Sequence, residues 1–205
     1  MCGIYAYLNF LVKRNQKEII MLLLEGLRNL AYRGHDSIGI SIDIIRDEIR
    51  KTAVAKTTGS VRELENLLHP LLSLQDPPEF DMHIGIGHTR WATHGPPSQV
   101  NAHPQVSSDA HEFIVVHNGS IDNCQEIKAY MEQIGFINAN LSRKMSSITQ
   151  TRHQHSVTSG AIQMETEDFH PPPYTMKSET DTEVMAKMSL MFHEKLDPDQ
   201  RSFPV

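Results

Sequence analysis

Cys2 stands directly before Gly3 and Ile4. Once Met1 is removed, this one residue carries both a thiol and a free α-amino group. The thiol is a nucleophile with a reference pKa of about 8.5, and the amine is a base with a pKa of about 8. An N-terminal amine can serve as general base for its own side chain. A second stretch, His88-Thr89-Arg90-Trp91-Ala92-Thr93-His94-Gly95, sets a guanidinium, an indole and a histidine on one short loop. That combination suits a small zwitterion whose carboxylate meets the arginine fork. Taken singly, each residue has a duller reading. A lone cysteine is ordinarily an inert buried thiol, Arg90 a solvated charge, Trp91 core, and His94 a surface histidine.

Composition narrows the classes. The 205 residues carry 19 Lys plus Arg against 25 Asp plus Glu, a formal net charge of -6 with no basic block. Neither a nucleic acid nor an anionic membrane is an expected partner. The two cysteines, Cys2 and Cys124, do not make a disulfide framework, and Cys124 reads as structural. A reducing compartment, the cytoplasm, is expected. The apolar run from Ile19 to Leu24 is bracketed by Glu18 and Glu25. It is neither a secretory signal nor close to the roughly 20 residues that span a bilayer. His153 and His155 lie two apart without cysteine or carboxylate partners, so they read as solvated rather than metal-binding.

The elements that must position the chemical residues follow from periodicity. Cys2 to Phe10 alternates as a strand. Asn15 to Leu30 reads as a helix with Asn15 and Glu18 as capping box, and Ile20, Leu23, Leu24, Leu27 and Leu30 as its stripe. A loop over Ala31 to Ser37 leads to a second strand, Ile38 to Ile45, where Gly39 implies close backbone approach. Arg46 to Leu74 is mixed, with Val61, Leu64, Leu67 and Leu68 suggesting a short helix. His83 to Arg90 is a third strand, placing Ile84, Ile86 and His88 on one face. Trp91 to Pro104 is a long loop of the kind that often carries function. Phe113 to His117 is a fourth strand ending at the turn pair Asn118-Gly119. Asn123 to Ile134 is a helix, with Asn123 and Glu126 as a possible capping box. From about Asn138 to about Met176, Ser, Thr, Gln, Asn and His dominate, and this stretch reads as a disordered insertion. Thr180 and Glu183 form a further capping-box pattern before a helix lined by Val184, Met188 and Met191. Residues 193–205 read as tail.

Five stretches now stand together: Met1-Cys2-Gly3-Ile4, Tyr32 to Gly39, His88 to Gly95, His117-Asn118-Gly119, and Ser178 to Glu183. In this order they resemble the glutaminase domain of the isomerising glutamine–fructose-6-phosphate aminotransferases, class II glutamine amidotransferases of the N-terminal-nucleophile type. The likeness covers Met1 to about Phe136 and about Lys177 to Phe192. It implies an α+β fold, a four-layer αββα sandwich, over residues 1–192 with 138–176 inserted. It also implies that Cys2 attacks the side-chain amide of L-glutamine and releases glutamate and ammonia. Asn118 and Gly119 would stabilise the oxyanion, Arg90 would hold the α-carboxylate with Thr93 and His94 in support, and Asp181 would hold the α-ammonium. Trp91 would cover the site, and Arg33 would wall the nucleophile. No metal or organic cofactor is implied. Fructose 6-phosphate would be met only through a sugar-isomerase region that is absent here, and the family is oligomeric.

Some positions depart from that pattern. His35 stands where tyrosine is usual, Ile38 where a small residue is usual, and Ser120 where an apolar one is. The insertion falls just before Asp181, and loop-closure entropy grows slowly enough to tolerate it. Strands that complete the sandwich are missing, so an incomplete sandwich with an uncovered sheet face is expected. Two alternatives stay open: another class II glutamine amidotransferase, and a non-catalytic piece that binds glutamine or full-length partners.

Overall fold

The computed structural model describes residues 2–93, 95–135 and 174–195. Contacts divide the chain into two compact units, Asn123–Thr175 and the remainder.

The larger unit is built on a four-stranded antiparallel sheet. Its strands are β1 (Gly3–Asn15), β2 (Ser37–Arg46), β3 (Ile49–Thr58) and β4 (Glu79–Arg90), in spatial order β1-β4-β2-β3. Helices α1 (Gln16–Asn29) and α2 (Val61–Leu72) cover one face. Asn15 caps α1 as its spacing requires: its side chain accepts from the Glu18 N–H, and Glu18 reaches back to the Asn15 N–H. Ile19, Ile20, Leu23, Leu24 and Leu27 bury completely against Ile38, Ile40 and Ile42 of β2 and Leu64 and Leu68 of α2. Leu30, assigned to the same stripe, lies one residue past the helix and is only partly buried. Gly85 is what lets α1 sit so close, since a Cβ there would lie 2.8 Å from Leu23 Cδ1.

The mixed stretch after Arg46 holds a strand that periodicity does not reveal. β3 pairs with β2 along its whole length, turning at Asp47 and Glu48, both with positive φ (54° and 61°), the twist that two-residue hairpins require. Its residues, rich in Lys, Arg and Thr, are half-exposed at the sheet edge, so no apolar alternation marks them. β4 begins four residues earlier than its apolar pattern suggests.

Among the described residues the opposite face of the sheet is covered over β2, β3 and the His88 end of β4. There the chain from Ala102 runs into β5 (Gln105–Val106), which pairs with β6 (Ile114–Val115). The close approach implied by Gly39 is real: a Cβ at that position would lie 2.3 Å from the His103 carbonyl oxygen. The fourth strand is thus much shorter than Phe113 to His117, and its partner β5 follows directly on the loop assigned to 91–104. A helix, here α4 (Thr182–Lys195), packs outside β5 and β6. The order is helices, sheet, sheet, helix, an α+β arrangement whose second sheet has two strands among the described residues. Over most of β1 and the first part of β4 the described residues leave that same face open, and Leu8 (62%), Phe10 (63%) and Ile84 (63%) are exposed.

The smaller unit contributes a helix over 124–135, α3, with Cys124 and Met131 buried. Tyr174 is buried as well. The insertion assigned to 138–176 and the tail assigned to 193–205 lie outside the described residues except at their edges.

Candidate active site

The sheet's register brings Cys2 to the end of β4. Gly3 pairs with Thr89, and the Gly3 N–H donates to Thr89 Oγ1 at 3.2 Å. The Cys2 thiol therefore lies against the backbone of Trp91, whose N–H reaches Sγ at 3.2 Å. Arg33, on the 3-10 turn Ala31–Arg33, donates through Nε to the Cys2 carbonyl at 2.9 Å. The same carbonyl accepts from Asn118 Nδ2 at 3.1 Å. Asn118, placed by sequence at a tight turn, instead serves as a bridge between β1 and the residues after β6.

These residues line a cavity of about 340 Å³ together with Arg90, Trp91, Thr93, Gly119 and Asp181. Of the candidate site residues, only His94 lies outside the described residues. Arg90 is 4% exposed, and its Nη2 donates to the Gly95 carbonyl at 3.3 Å. Burial holds its guanidinium below the ordinary value, opposed by the Cys2 thiol, Asp36, Asp181 and Glu179. A guanidinium has no acid–base role in this range and remains a cation. Asp181 stands at the start of α4, where Oδ2 accepts from the Ile121 N–H at 2.9 Å. A fixed cation and a fixed carboxylate in one cavity match the two charges of an α-amino acid. Trp91 is 47% exposed at the rim, edge-on to His35 with ring centroids 5.6 Å apart. Among the described residues no group of three or more His, Cys, Asp or Glu side chains is arranged to hold a metal.

Four further residues shape the site to which the sequence analysis gave no role there. His88 is fully buried on β4, with Nε2 2.9 Å from Asn118 Oδ1. Burial pushes its pKa down to about 4, opposed by the bond to Asn118. His103 packs on it at 4.3 Å between ring centroids and is driven lower still, again by burial first. His117 meets Thr182 Oγ1 through Nδ1 at 3.3 Å. Asp36 pins the loop after β4: its N–H donates to the Arg90 carbonyl at 3.1 Å, and its Oδ2 accepts from the Ala92 N–H at 2.8 Å. The available signal was position alone, because His88 and Asp36 sit inside the same short runs as Arg90 and Arg33.

The Thr180–Glu183 capping box does not form. Glu183 turns its carboxylate to the N–H groups of Lys177 and Ser178 and to Ser178 Oγ, at 2.6–3.0 Å. Three donors held together outweigh the single N–H that a box would offer.

Comparison with known proteins finds relatives of one name. A glutamine–fructose-6-phosphate aminotransferase of Bos taurus is 45% identical over 138 residues, 66% of this chain and 20% of that protein. The enzyme of the same name from Saccharomyces cerevisiae is 47% identical over 139 residues, again 66% of this chain and 18% of the relative. The one from Encephalitozoon cuniculi is 32% identical over 197 residues, 96% of this chain and 22% of the relative. This chain is a homologue of those isomerising aminotransferases. It spans about a fifth of the length of the curated relatives it matches. No protein-family model matches it. No helix among the described residues is long and apolar enough to cross a membrane.

Proposed function

We propose that this chain is a glutaminase unit of the glutamine–fructose-6-phosphate aminotransferase type. The observation that carries the reading is the convergence of the Cys2 thiol, the buried Arg90 and Asp181 on one cavity. Removal of Met1 frees the Cys2 α-amine, which takes the thiol proton. The thiolate attacks the side-chain amide carbon of glutamine, whose α-carboxylate pairs with Arg90 and whose α-ammonium pairs with Asp181. The amide oxygen becomes an oxyanion. Asn118 Nδ2 has two hydrogens, and while one bonds the Cys2 carbonyl the other serves the oxyanion, with the Gly119 N–H as second donor. Each such donor is worth about 3 kcal/mol of barrier. The ammonium of Cys2 returns its proton to the leaving nitrogen, and ammonia departs. Water then cleaves the thioester and releases glutamate. Thr93 and His94 support the carboxylate end, Trp91 covers the cavity, and Arg33 holds the Cys2 carbonyl in place. Transfer of ammonia to fructose 6-phosphate, giving glucosamine 6-phosphate, belongs to sequence outside the fifth shared here.

The test is glutamate release from glutamine by the purified chain, with an intact mass to report Met1. Cys2→Ala is expected to abolish turnover, while Cys124→Ala retains most of it. Equal loss in both variants rejects Cys2 as nucleophile. A second reading, a non-catalytic unit that binds glutamine or longer partners, draws on the bare face of β1 and β4. It predicts glutamine binding without turnover in a chain that has lost Met1.

A further inference from the structure

A second cavity, of about 260 Å³, lies between β3, the chain before β5, and α4. Two ammonium groups enter it from opposite layers. Lys56 comes from β3 and Lys187 from α4, with Lys177 at the exposed rim. Lys187 is 3% exposed, and its Nζ donates to the Ser107 carbonyl at 3.2 Å. Its acid neighbour, Glu183, makes an ion pair with it at 3.6 Å, lines the same cavity and also favours the charged form of Lys56, while its carboxylate is shared with two backbone N–H groups and the Ser178 hydroxyl. Lys56 donates weakly to the Val100 carbonyl at 3.4 Å. No carboxylate among the described residues lies within ion-pair distance of it. Lys177 is met at the rim by Asp109, 2.6 Å away.

The count around the cavity is three ammonium groups against two carboxylates, in a protein of formal charge -6. Taking an ammonium out of water is costly unless an anion faces it. That cost is visible in both groups: burial pushes Lys56 down to about 8 and lowers Lys187 as well. An anion with two or three oxygens, seated between Lys56 and Lys187, would favour the charged form of both. We infer that this cavity is a binding site for a phosphate group, free or carried on a small metabolite, held between the ammonium groups of Lys56 and Lys187. The site is separate from the Cys2 cavity and does not rest on the proposed glutaminase chemistry.

The experiment is a titration of the isotope-labelled chain with inorganic phosphate at constant ionic strength, followed by amide proton–nitrogen spectra, with glycerol 3-phosphate as a parallel arm. Saturable shifts confined to the surroundings of Lys56, Ser107 and Lys187 are expected. Lys56→Met, at a partly exposed position that tolerates the change, and Lys187→Met, which keeps the buried volume, should each weaken binding about tenfold or more. Lys51→Met, an exposed charge-matched control on the same strand, should bind as the parent does. Preference for glycerol 3-phosphate over phosphate assigns an ester ligand, and the reverse assigns the free ion. The inference is overturned by the absence of saturable shifts. Shifts scattered over the surface, or unchanged in the folded Lys56→Met variant, overturn it equally.

Discussion

His88 is fully buried, and its Nε2–H is the group that fixes which way the Asn118 amide points. Replacing it with Leu should free that amide to rotate and lower kcat by about 10²-fold, the scale of one misplaced oxyanion donor. KM for glutamine should hardly change, because Arg90 and Asp181 stay in place. His88→Gln, which keeps an N–H donor, should recover part of the loss. A rise in KM with kcat preserved would show that His88 acts on binding instead. The same ring predicts a pH dependence of stability. Its folded pKa is about 4 against about 6.5 for an exposed histidine. Between those values the unfolded chain binds a proton that the native state refuses, so stability falls as pH drops from about 6.5 to about 4. The shift corresponds to on the order of 3 kcal/mol for His88, and the stacked His103 acts in the same direction. Urea midpoints at several pH values between 7 and 4 check this, and a flat series contradicts it. At this scale Cys2, Arg90, Asn118 and Asp181 stood out through the family resemblance rather than through their types, and they line one cavity. The sequence was silent about His88, whose role comes entirely from what surrounds it.

Among the elements, α1 could be read directly because apolar spacing and cap agree, whereas α2 was read from Val61, Leu64, Leu67 and Leu68 alone, of which Leu67 is exposed. Ser60 caps α2 as Asn15 caps α1, with Glu63 closing the box. Ser60→Ala should lower stability by about 1 kcal/mol and leave the Cys2 cavity intact. A shifted urea midpoint with unchanged glutamine binding is the expected pair of results. β3 could not be read in the same way. It is an edge strand carrying Arg50, Lys51, Thr52 and Lys56, and its pairing with β2 is a backbone matter that side-chain alternation does not report. β5 and β6, of two residues each, are below the length at which alternation exists. Their position is set by the hydrogen bonds of Ser107 and Glu112 around the intervening turn. The register of β1 on β4, which brings Cys2 to Trp91, is likewise a tertiary fact: each strand was legible, and their alignment was not.

For the molecule as a whole, the bare face is the dominant feature. Ile4, Ala6, Leu8 and Phe10 on β1 stand directly opposite His88, Ile86, Ile84 and Met82 on β4, and most of this apolar surface is open to water. A contiguous patch of that kind on a strand pair at the sheet edge favours association. Leu8→Lys with Phe10→Lys should reduce self-association in sedimentation velocity and the binding of a hydrophobic dye. Because both side chains are already exposed, stability should move by no more than about 0.5 kcal/mol. Loss of the folded state would mean that the face is covered in solution. An uncovered sheet face was expected from the family resemblance rather than from the strands' alternation, and its extent depends on how little β5 and β6 cover. One feature of β1 bears on how this chain can change over generations. Between Phe10 and Arg14 the strand carries two residues more than its partner, with Leu11 at φ 56° and Asn9 tied to the Val12 and Phe80 carbonyls. Gains or losses of a residue there are absorbed locally. The same change between Gly3 and Asn9 would turn every side chain of that segment to the other face and carry Cys2 away from Trp91. Length variation among descendants of this gene should therefore collect at 11–13 and spare 3–9.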